Sequence, residues 1–337
     1  MREPPADLPI ALLRDALATD YELAATDITF LPVGHDAHAW AFRADTRGDA
    51  SYFLKVRHRI TNEAGLVIPH FLREGGVARV VAPLASKRGT LWATPGDYAL
   101  AVYQFISGAT GLTAGMSDRQ WIEYGATLRA IHEVVPSSAV RALLRRENFV
   151  PDGAAAIRTL DEHVSSGTLN DPGRALIAEF WLERRDLIRN LVARAEELGR
   201  RLADSQPALV LCHADIHTNN VLLDGDDRIW IVDWDETMLA PRERDLMFVI
   251  GGIAREFVSP PQEELFFVGY GTVSVDQVAL AYYRYAWTTS DIGAYGAEVF
   301  QRDDLGPLDR VEAVERFQSL FAPGGIVDIA LGSRMPD

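Results

Sequence analysis

The chain has 337 residues, with 33 Lys+Arg against 48 Asp+Glu and a formal net charge of −15. That acidic balance excludes a nucleic-acid binder, which needs a basic face to neutralise phosphates, and it disfavours anionic membrane surfaces for the same reason. The lone cysteine, Cys212, excludes an internal disulfide and any paired-cysteine metal or redox centre. No apolar run reaches membrane-spanning length, and the N-terminus carries acids and Arg14 where a signal peptide is apolar, so a cytoplasmic protein is expected.

Leu8, Leu12, Leu13 and Leu17 recur at helical spacing and predict a first helix over 8–19. The period then shortens. ITFLPV (28–33), HAWAFRA (38–44) and SYFLKVR (51–57) read as strands joined by tight turns. NEAGLVIPHFLREGG (62–76) predicts a helix ending at Gly75–Gly76, with a kink at Pro69. VARVVAPLA (77–85) and YALAVYQFI (98–106) are two further strand candidates. Beyond the small-residue connector SGATGLTAG (107–115), Ser117 and Gln120 form a capping box for a helix that carries Trp121, Tyr124, Leu128 and Ile131. One long amphipathic helix is expected from Asp171 to Leu202. ALVLCHAD (208–215) and VLLDGDDRIWIVDWD (221–235) return to strand, with Asp224-Gly225-Asp226-Asp227 as a hairpin turn. DQVALAYYRYAW (276–287) is helical again. The expected organisation is α+β: a β-rich N-lobe over 1–106 and a larger, mainly helical C-lobe over 107–337 that embeds one hairpin. Clefts between two such lobes are common ligand sites.

The most informative stretch is 211–245, where His213, Asp215 and Asn220 fit H-x-D-x-x-x-x-N and Asp233 follows thirteen residues after Asn220. Phosphoryl transfer to a hydroxyl needs such a set. One carboxylate must lie beside the attacking oxygen, and Mg²⁺ must be gripped by hard oxygen ligands beside the phosphates. The hairpin brings the amide of Asn220 and the carboxylate of Asp233 together. Upstream, Lys55 lies within the apolar strand YFLKV and wants an anionic partner; in a kinase it pairs with phosphate oxygens and with a helix glutamate. Glu63 is the first candidate for that glutamate and Glu74 the second. Rival chemistries find less support. His213, Asp215 and His217 alternate as a zinc cluster on one strand face would, but no second ligand motif accompanies them. GxSxG, HExxH, GxGxxG and GxxxxGK[ST] are all absent.

These residues resemble the aminoglycoside phosphotransferase family, the small-molecule branch of the protein-kinase-like fold. HADIHTNNVLL resembles that family's catalytic loop, IVDWD stands in the place of DFG, and DWDETMLAPRERDLMF most resembles its spectinomycin phosphotransferase-like members. The resemblance implies a bilobal kinase-like fold and an ATP-dependent, Mg²⁺-requiring enzyme, with GTP not distinguished from ATP. Asp215 would be the catalytic base, Asn220 and Asp233 the metal ligands, and Lys55 the phosphate contact partnered by Glu63. Gln104 and Ile106 would offer backbone groups to adenine, and Asp245 would brace the catalytic loop. Two departures stand out: VGHDAHAW (33–40), which should cover the phosphates, has one glycine, and Ala214 stands where protein kinases have arginine.

For the acceptor, Asp235 and Glu236 follow the metal aspartate directly, and Tyr282, Tyr283, Tyr285, Trp287 and Asp291 lie on a later helix. Carboxylates and aromatics suit a cationic, amine-bearing small molecule. Tyr283 and Trp287 also share an apolar face with Ala279 and Leu280, which reads as core packing. The resemblance to the spectinomycin phosphotransferase-like members implies an aminocyclitol or aminoglycoside as the acceptor. A choline, sugar or amino-alcohol kinase, and a catalytically silent nucleotide-binding module, stay open as alternatives.

Overall fold

Strands β1 (Ala25–Leu31), β2 (Ala39–Thr46), β3 (Ser51–Arg57) and β4 (Ala99–Gln104) pair in sequence order into one antiparallel sheet. The computed structural model describes residues 3–5, 7–34, 39–48, 50–166, 172–255, 257–302 and 307–333. Helix α1 (Ile10–Tyr21) supplies Leu13 and Leu17 to a core with Phe42, Leu54, Val56, Leu100 and Val102 from the sheet. Each such side chain contributes about 1.5–3 kcal/mol on burial, so this apolar face fixes the register of β3. Lys55 then points to the opposite face, directly across from Ala41 on β2 and Ala101 on β4, whose methyl groups leave its stem room. Helix α2 (Ala64–Glu74) follows, with Pro69 inside it.

Residues 77–85 differ from expectation. They form only single bridges, Val80 to Ile231 and Pro83 to Tyr103. Arg79 adopts a left-handed backbone at φ 68° and Pro83 has no N–H, so a continuous ladder cannot run through this stretch.

Strands β5 (Gly108–Thr110), β6 (Val221–Asp224) and β7 (Ile229–Ile231) form a second antiparallel sheet in that order. Helix α3 (Asp118–Glu133) starts with the expected capping box: the Ser117 hydroxyl accepts from the Gln120 N–H, and Gln120 accepts from the Ser117 N–H at 2.8 Å. Glu123 on this helix accepts from Arg79 Nε at 2.5 Å and from the Ile229 N–H at 3.3 Å. Ile231 exchanges backbone bonds with Arg79 and Val81.

These ties explain why the chain does not divide at residue 106. One compact unit gathers Met1–Arg145, His213–Met238 and Val268–Gly271, so the hairpin and α3 belong with the N-terminal sheet. The other unit holds Arg146–Cys212, Leu239–Phe267 and Thr272–Asp337.

Within this second unit, α4 (Gly153–Ser165), α5 (Pro172–Glu183) and α6 (Arg185–Ser205) precede the long α7 (Gln277–Gln301). The single helix expected over 171–202 is broken at Arg184, whose backbone leaves helical geometry at φ −107°, ψ 6°. Arg185 and Arg189 turn to Asp161 on α4, with Nε of Arg185 at 2.7 Å and Nη2 of Arg189 at 2.8 Å. Gly153 lets α4 approach α7, since a Cβ there would lie 2.1 Å from the Thr289 carbonyl oxygen. Tyr282 and Tyr283 are buried in the helical core at 2% and 1% exposure, so they line no substrate face.

Asp224 organises the β6–β7 turn. Its carboxylate accepts from the N–H groups of Asp226 and Arg228, from Arg228 Nε at 2.8 Å and from Trp230 Nε1 at 2.8 Å. Burial alone would raise its pKa, but these bonds outweigh it and bring it down to about 2. A depressed carboxylate adds stability above its ordinary pKa and loses it as pH falls through the folded value. Thermal unfolding of Asp224→Asn should therefore show a loss of about 1–2 kcal/mol at pH 7 that vanishes near pH 2.

Candidate active site

The site is built where the loop leaving His213 meets the segment leaving β7. His213 is fully buried and ties the two together. Its Nε2 lies 2.9 Å from the Val232 carbonyl oxygen, which can only accept, and its Nδ1 accepts from the Asp215 N–H at 3.2 Å. The ring is thus the neutral Nε2–H tautomer, fixed from both ends. The bond from the Val232 N–H to the Asn220 carbonyl, at 3.0 Å, completes the join.

Asn220 donates through Nδ2 to the Asp215 backbone carbonyl at 2.7 Å and to Asp215 Oδ2 at 3.0 Å. Both partners are acceptors, which fixes the amide's orientation and turns its carbonyl oxygen elsewhere. Ala214 and Asp233 both adopt left-handed backbones, at φ 69° and 62°. Such conformations cost of order 1–3 kcal/mol outside glycine and cluster at functional sites. Here they aim Asp215 and Asp233 into one cavity of about 490 Å³, which is also lined by Arg57, Asn62, Arg145, Asp235 and Glu236. His217 approaches Asp215 Oδ1 at 3.4 Å.

Lys55 reaches this cluster from β3, an interior strand. Its Nζ lies 3.0 Å from Asp233 Oδ1 and 2.7 Å from Asp235 Oδ2. Arg57, two residues along the same strand face, donates Nη1 to Asp235 Oδ1 at 3.3 Å and Nη2 to Asp235 Oδ2. Burial pulls the Lys55 ammonium down, but Asp233 and Asp235 outweigh it and hold it above the ordinary lysine value. Asp235 is likewise pushed up by burial, and Lys55 and Arg57 more than reverse this, keeping it well below the usual carboxylate range.

Two sequence expectations meet a different geometry. Glu63 is exposed at the start of α2, while Lys55 is held by Asp233 and Asp235. Glu63 is the cap residue just before that helix, whereas the Asn62 side chain and Gly65 lie against Asp235. Asp235, expected at the acceptor, has both carboxylate oxygens engaged by cations of β3. Glu236 is the accessible acid, 56% exposed and 3.3 Å from Arg145.

Gln104 is the last residue of β4, and Ile106 lies two residues beyond it. The Phe105 N–H bonds to the Ser51 carbonyl on β3, so the alternation of an antiparallel strand turns the peptide groups of 104 and 106 away from β3. Of the segment expected to cover the phosphates, residues 35–38 lie outside the described residues. Asp245 is fully buried in the second unit.

Arg57 was readable in the sequence, because it alternates with Lys55 on a strand. Asn62 and Arg145 carry no such signal; only the fold brings them to the site.

The donor set also passes a test for a hard divalent cation. Asn220 has its carbonyl oxygen left over from the Asp215 bonds, and Asp233 offers a carboxylate that is half exposed. An amide oxygen and a carboxylate are the ligand types that Mg²⁺ takes.

A lysine on the third strand of an antiparallel sheet, a loop aspartate beside an asparagine, and a second aspartate after a hairpin define a phosphotransferase of the protein-kinase-like class. The sequence agrees: residues 27–286 match the phosphotransferase enzyme family (APH), and the chain belongs to that family. Spectinomycin phosphotransferase APH(9)-Ia, solved with ADP and spectinomycin, is 31% identical with a TM-score of 0.87, over 96% of this chain and 98% of that one. Protein StrN of Streptomyces griseus is 25% identical over 294 residues, covering 84% of this chain and 82% of that protein. Amicoumacin kinase hAmiN, 17% identical with a TM-score of 0.60 and about 95% of each chain covered, shares the fold. The chain is therefore an APH-family phosphotransferase acting on a hydroxyl acceptor. No described helix is long and apolar enough to cross a membrane.

Replacing His213 by leucine keeps much of its volume but leaves the Val232 carbonyl and the Asp215 N–H without their partner. Chemical denaturation should record a loss of about 2–4 kcal/mol, the cost of two buried polar groups left unsatisfied.

Proposed function

We propose that this enzyme transfers the γ-phosphoryl group of ATP to a hydroxyl of an amine-bearing aminocyclitol of the spectinomycin class. The observation that carries the reading is the convergence of Asp215, Asp233 and the Lys55 partner Asp235 on one cavity that is also lined by the exposed Glu236.

Asp215 acts on the acceptor. Its carboxylate, steadied by Asn220 at 3.0 Å, orients the hydroxyl and takes its proton as the oxygen bonds to the γ-phosphorus. The bond from that phosphorus to the bridging oxygen of ADP breaks, and the proton passes from Asp215 to solvent. Lys55 offsets the charge of the phosphate oxygens, and Asn220 and Asp233 would hold Mg²⁺. That ion, when bound, neutralises phosphate charge. The outward-turned peptide groups of Gln104 and Ile106 suit hydrogen bonding to adenine.

Charge argues for the acceptor class. The cavity lining carries four carboxylates, Asp215, Asp233, Asp235 and Glu236, against the two guanidiniums of Arg57 and Arg145. Lys55 and Arg57 offset Asp233 and Asp235, so an ammonium group gains chiefly through a charge-assisted hydrogen bond to the exposed Glu236, where a sugar acid would be repelled. A sugar acid names the acceptor of one relative, the 3-deoxy-D-manno-octulosonic acid kinase of Stenotrophomonas maltophilia, which is 29% identical over 175 residues, 47% of this chain and 64% of that one. The 31% identity and near-complete coverage of the spectinomycin enzyme support the aminocyclitol.

ADP release, followed with MgATP across aminocyclitols, aminoglycosides, amino alcohols and sugar acids, tests the reading. Turnover should be highest with an aminocyclitol, and ³¹P NMR should show a phosphate monoester. Turnover confined to sugar acids, or nucleotide binding without turnover of any acceptor, would sink it. In the same assay Asp215→Ala should lower kcat by about 10³-fold, because general-base catalysis and acceptor orientation are both lost. Glu236→Gln should raise KM for the amine-bearing acceptor about tenfold while KM for ATP changes by less than about twofold, in keeping with the loss of one charge-assisted contact.

A further inference from the structure

The family resemblance implies a glutamate on the helix after β3 as the anchor of Lys55, and neither candidate serves. Glu63 is exposed at the cap position before α2, and the exposed Glu74 lies 3.3 Å from His70. We propose that Asp235 is the positioning residue that anchors Lys55 for the nucleotide phosphates, an inference that rests on the assignment of Lys55 to the nucleotide.

Three observations support it independently. The first is occupancy of the carboxylate. Lys55 Nζ lies 2.7 Å from Asp235 Oδ2, Arg57 Nη2 donates to the same oxygen, and Arg57 Nη1 reaches Oδ1 at 3.3 Å. An ammonium arriving on an acceptor would have to displace two cations there, but only the half-exposed Arg145 at Glu236. Asp235 is thereby removed from the acceptor and given to the lysine. The second is the backbone of Asp235. Asn62 donates Nδ2 to its carbonyl oxygen at 2.6 Å and accepts from the Ala64 N–H at 3.1 Å, so one side chain joins the start of α2 to residue 235.

The third is the close approach of α2. A Cβ on Gly65 would stand 3.0 Å from Asp235 Oδ1, 3.2 Å from its Cα and 3.3 Å from the Trp234 carbonyl oxygen. Only glycine lets the helix come this near without moving the aspartate. The helix thus still sets the lysine's position, but through its backbone and an asparagine rather than through a glutamate. Asp233, the other carboxylate on Lys55, is assigned to the metal. Asp235 is then the carboxylate left to Lys55, which shares it with Arg57.

Isothermal titration of MgADP without acceptor, into the full chain and four variants, tests the anchor. Asp235→Asn should weaken MgADP about tenfold and Lys55→Ala at least as much, a factor of ten being one charge-assisted contact. The double variant should lie within about twofold of Lys55→Ala, because both substitutions act through one ammonium. Glu63→Gln should move the affinity by less than about twofold, as an exposed side chain outside the network does.

Full additivity in the double variant, or a loss in Glu63→Gln equal to that in Asp235→Asn, overturns the proposal. Steady-state kinetics add a second readout. Asp235→Asn should raise KM for ATP and leave KM for the acceptor nearly unchanged, and the reverse pattern returns Asp235 to the acceptor and overturns the anchor. Should Asp235→Asn not fold, Asn62→Ala keeps every charge and removes the bond to the Asp235 carbonyl together with the one accepted from the Ala64 N–H. It should weaken MgADP about threefold, the effect of one neutral hydrogen bond, and unchanged affinity overturns the proposal. A different failure, Lys55→Ala binding MgADP like the wild type, would instead remove the nucleotide assignment on which the inference rests.

Discussion

The contact of Lys55 with Asp233 and Asp235 is the interaction on which the rest of this site depends. Two cations of β3, Lys55 and Arg57, face two carboxylates placed after β7, and the four charges cancel. Taking Lys55, Arg57 or Asp235 away leaves an uncompensated charge in a partly dehydrated place, at a cost below the ~3–5 kcal/mol of a fully buried pair. The quartet therefore joins the N-terminal sheet to the hairpin segment as firmly as an apolar contact would, yet leaves charge where phosphates need it. Much of the surrounding fold serves that meeting. The α1–sheet core sets the register of β3, and with it the face that Lys55 takes. Glu123 and the Arg79–Ile231–Val81 bonds set the position of the hairpin.

His213 does for the loop what the quartet does for the strands. A neutral imidazole accepting from the Asp215 N–H and donating to the Val232 carbonyl couples the Asp215 loop to the segment carrying Asp233. A shift in one segment is then passed to the other. The left-handed backbones at Ala214 and Asp233 are the local cost of aiming two carboxylates at one cavity from adjoining segments, and the buried imidazole is one reason the cost is met.

Much of this was legible in the sequence because it rests on local rules. Period-2 runs gave β1 to β4 within a few residues of their bounds, and Ser117 with Gln120 announced α3 by a cap that needs only four residues to specify. The set Lys55, Asp215, Asn220 and Asp233 was readable because its spacing encodes a loop and a hairpin. What escaped was decided by packing between distant segments. The stretch 77–85 has strand composition, but Arg79 and Pro83 leave it only isolated bridges. Arg184 breaks a helix whose periodicity runs on unbroken, because Arg185 and Arg189 find Asp161 on another helix. Glu63 looked like the partner of Lys55 because an acid on the next helix is the usual solution. In the structure Lys55 instead contacts Asp233 and Asp235, and α2 comes close to Asp235, which only Gly65 hints at.

The net charge of −15 takes on a more particular meaning at this site. Four of the acids line one cavity, and they answer to three neighbours: Asp215 to Asn220, Asp233 and Asp235 to Lys55, and Glu236 to Arg145. Those neighbours separate them by availability more than by chemistry. A carboxylate held by two cations of an interior strand is fixed in place and suits positioning. One that faces solvent beside a single exposed arginine can exchange that arginine for an incoming ammonium at little cost, since exposed ion pairs are worth about 0–1 kcal/mol. Adjacent acids, Asp235 and Glu236, are thus sorted into one held by strand β3 and one open to solvent by a single residue of chain and by the face each presents.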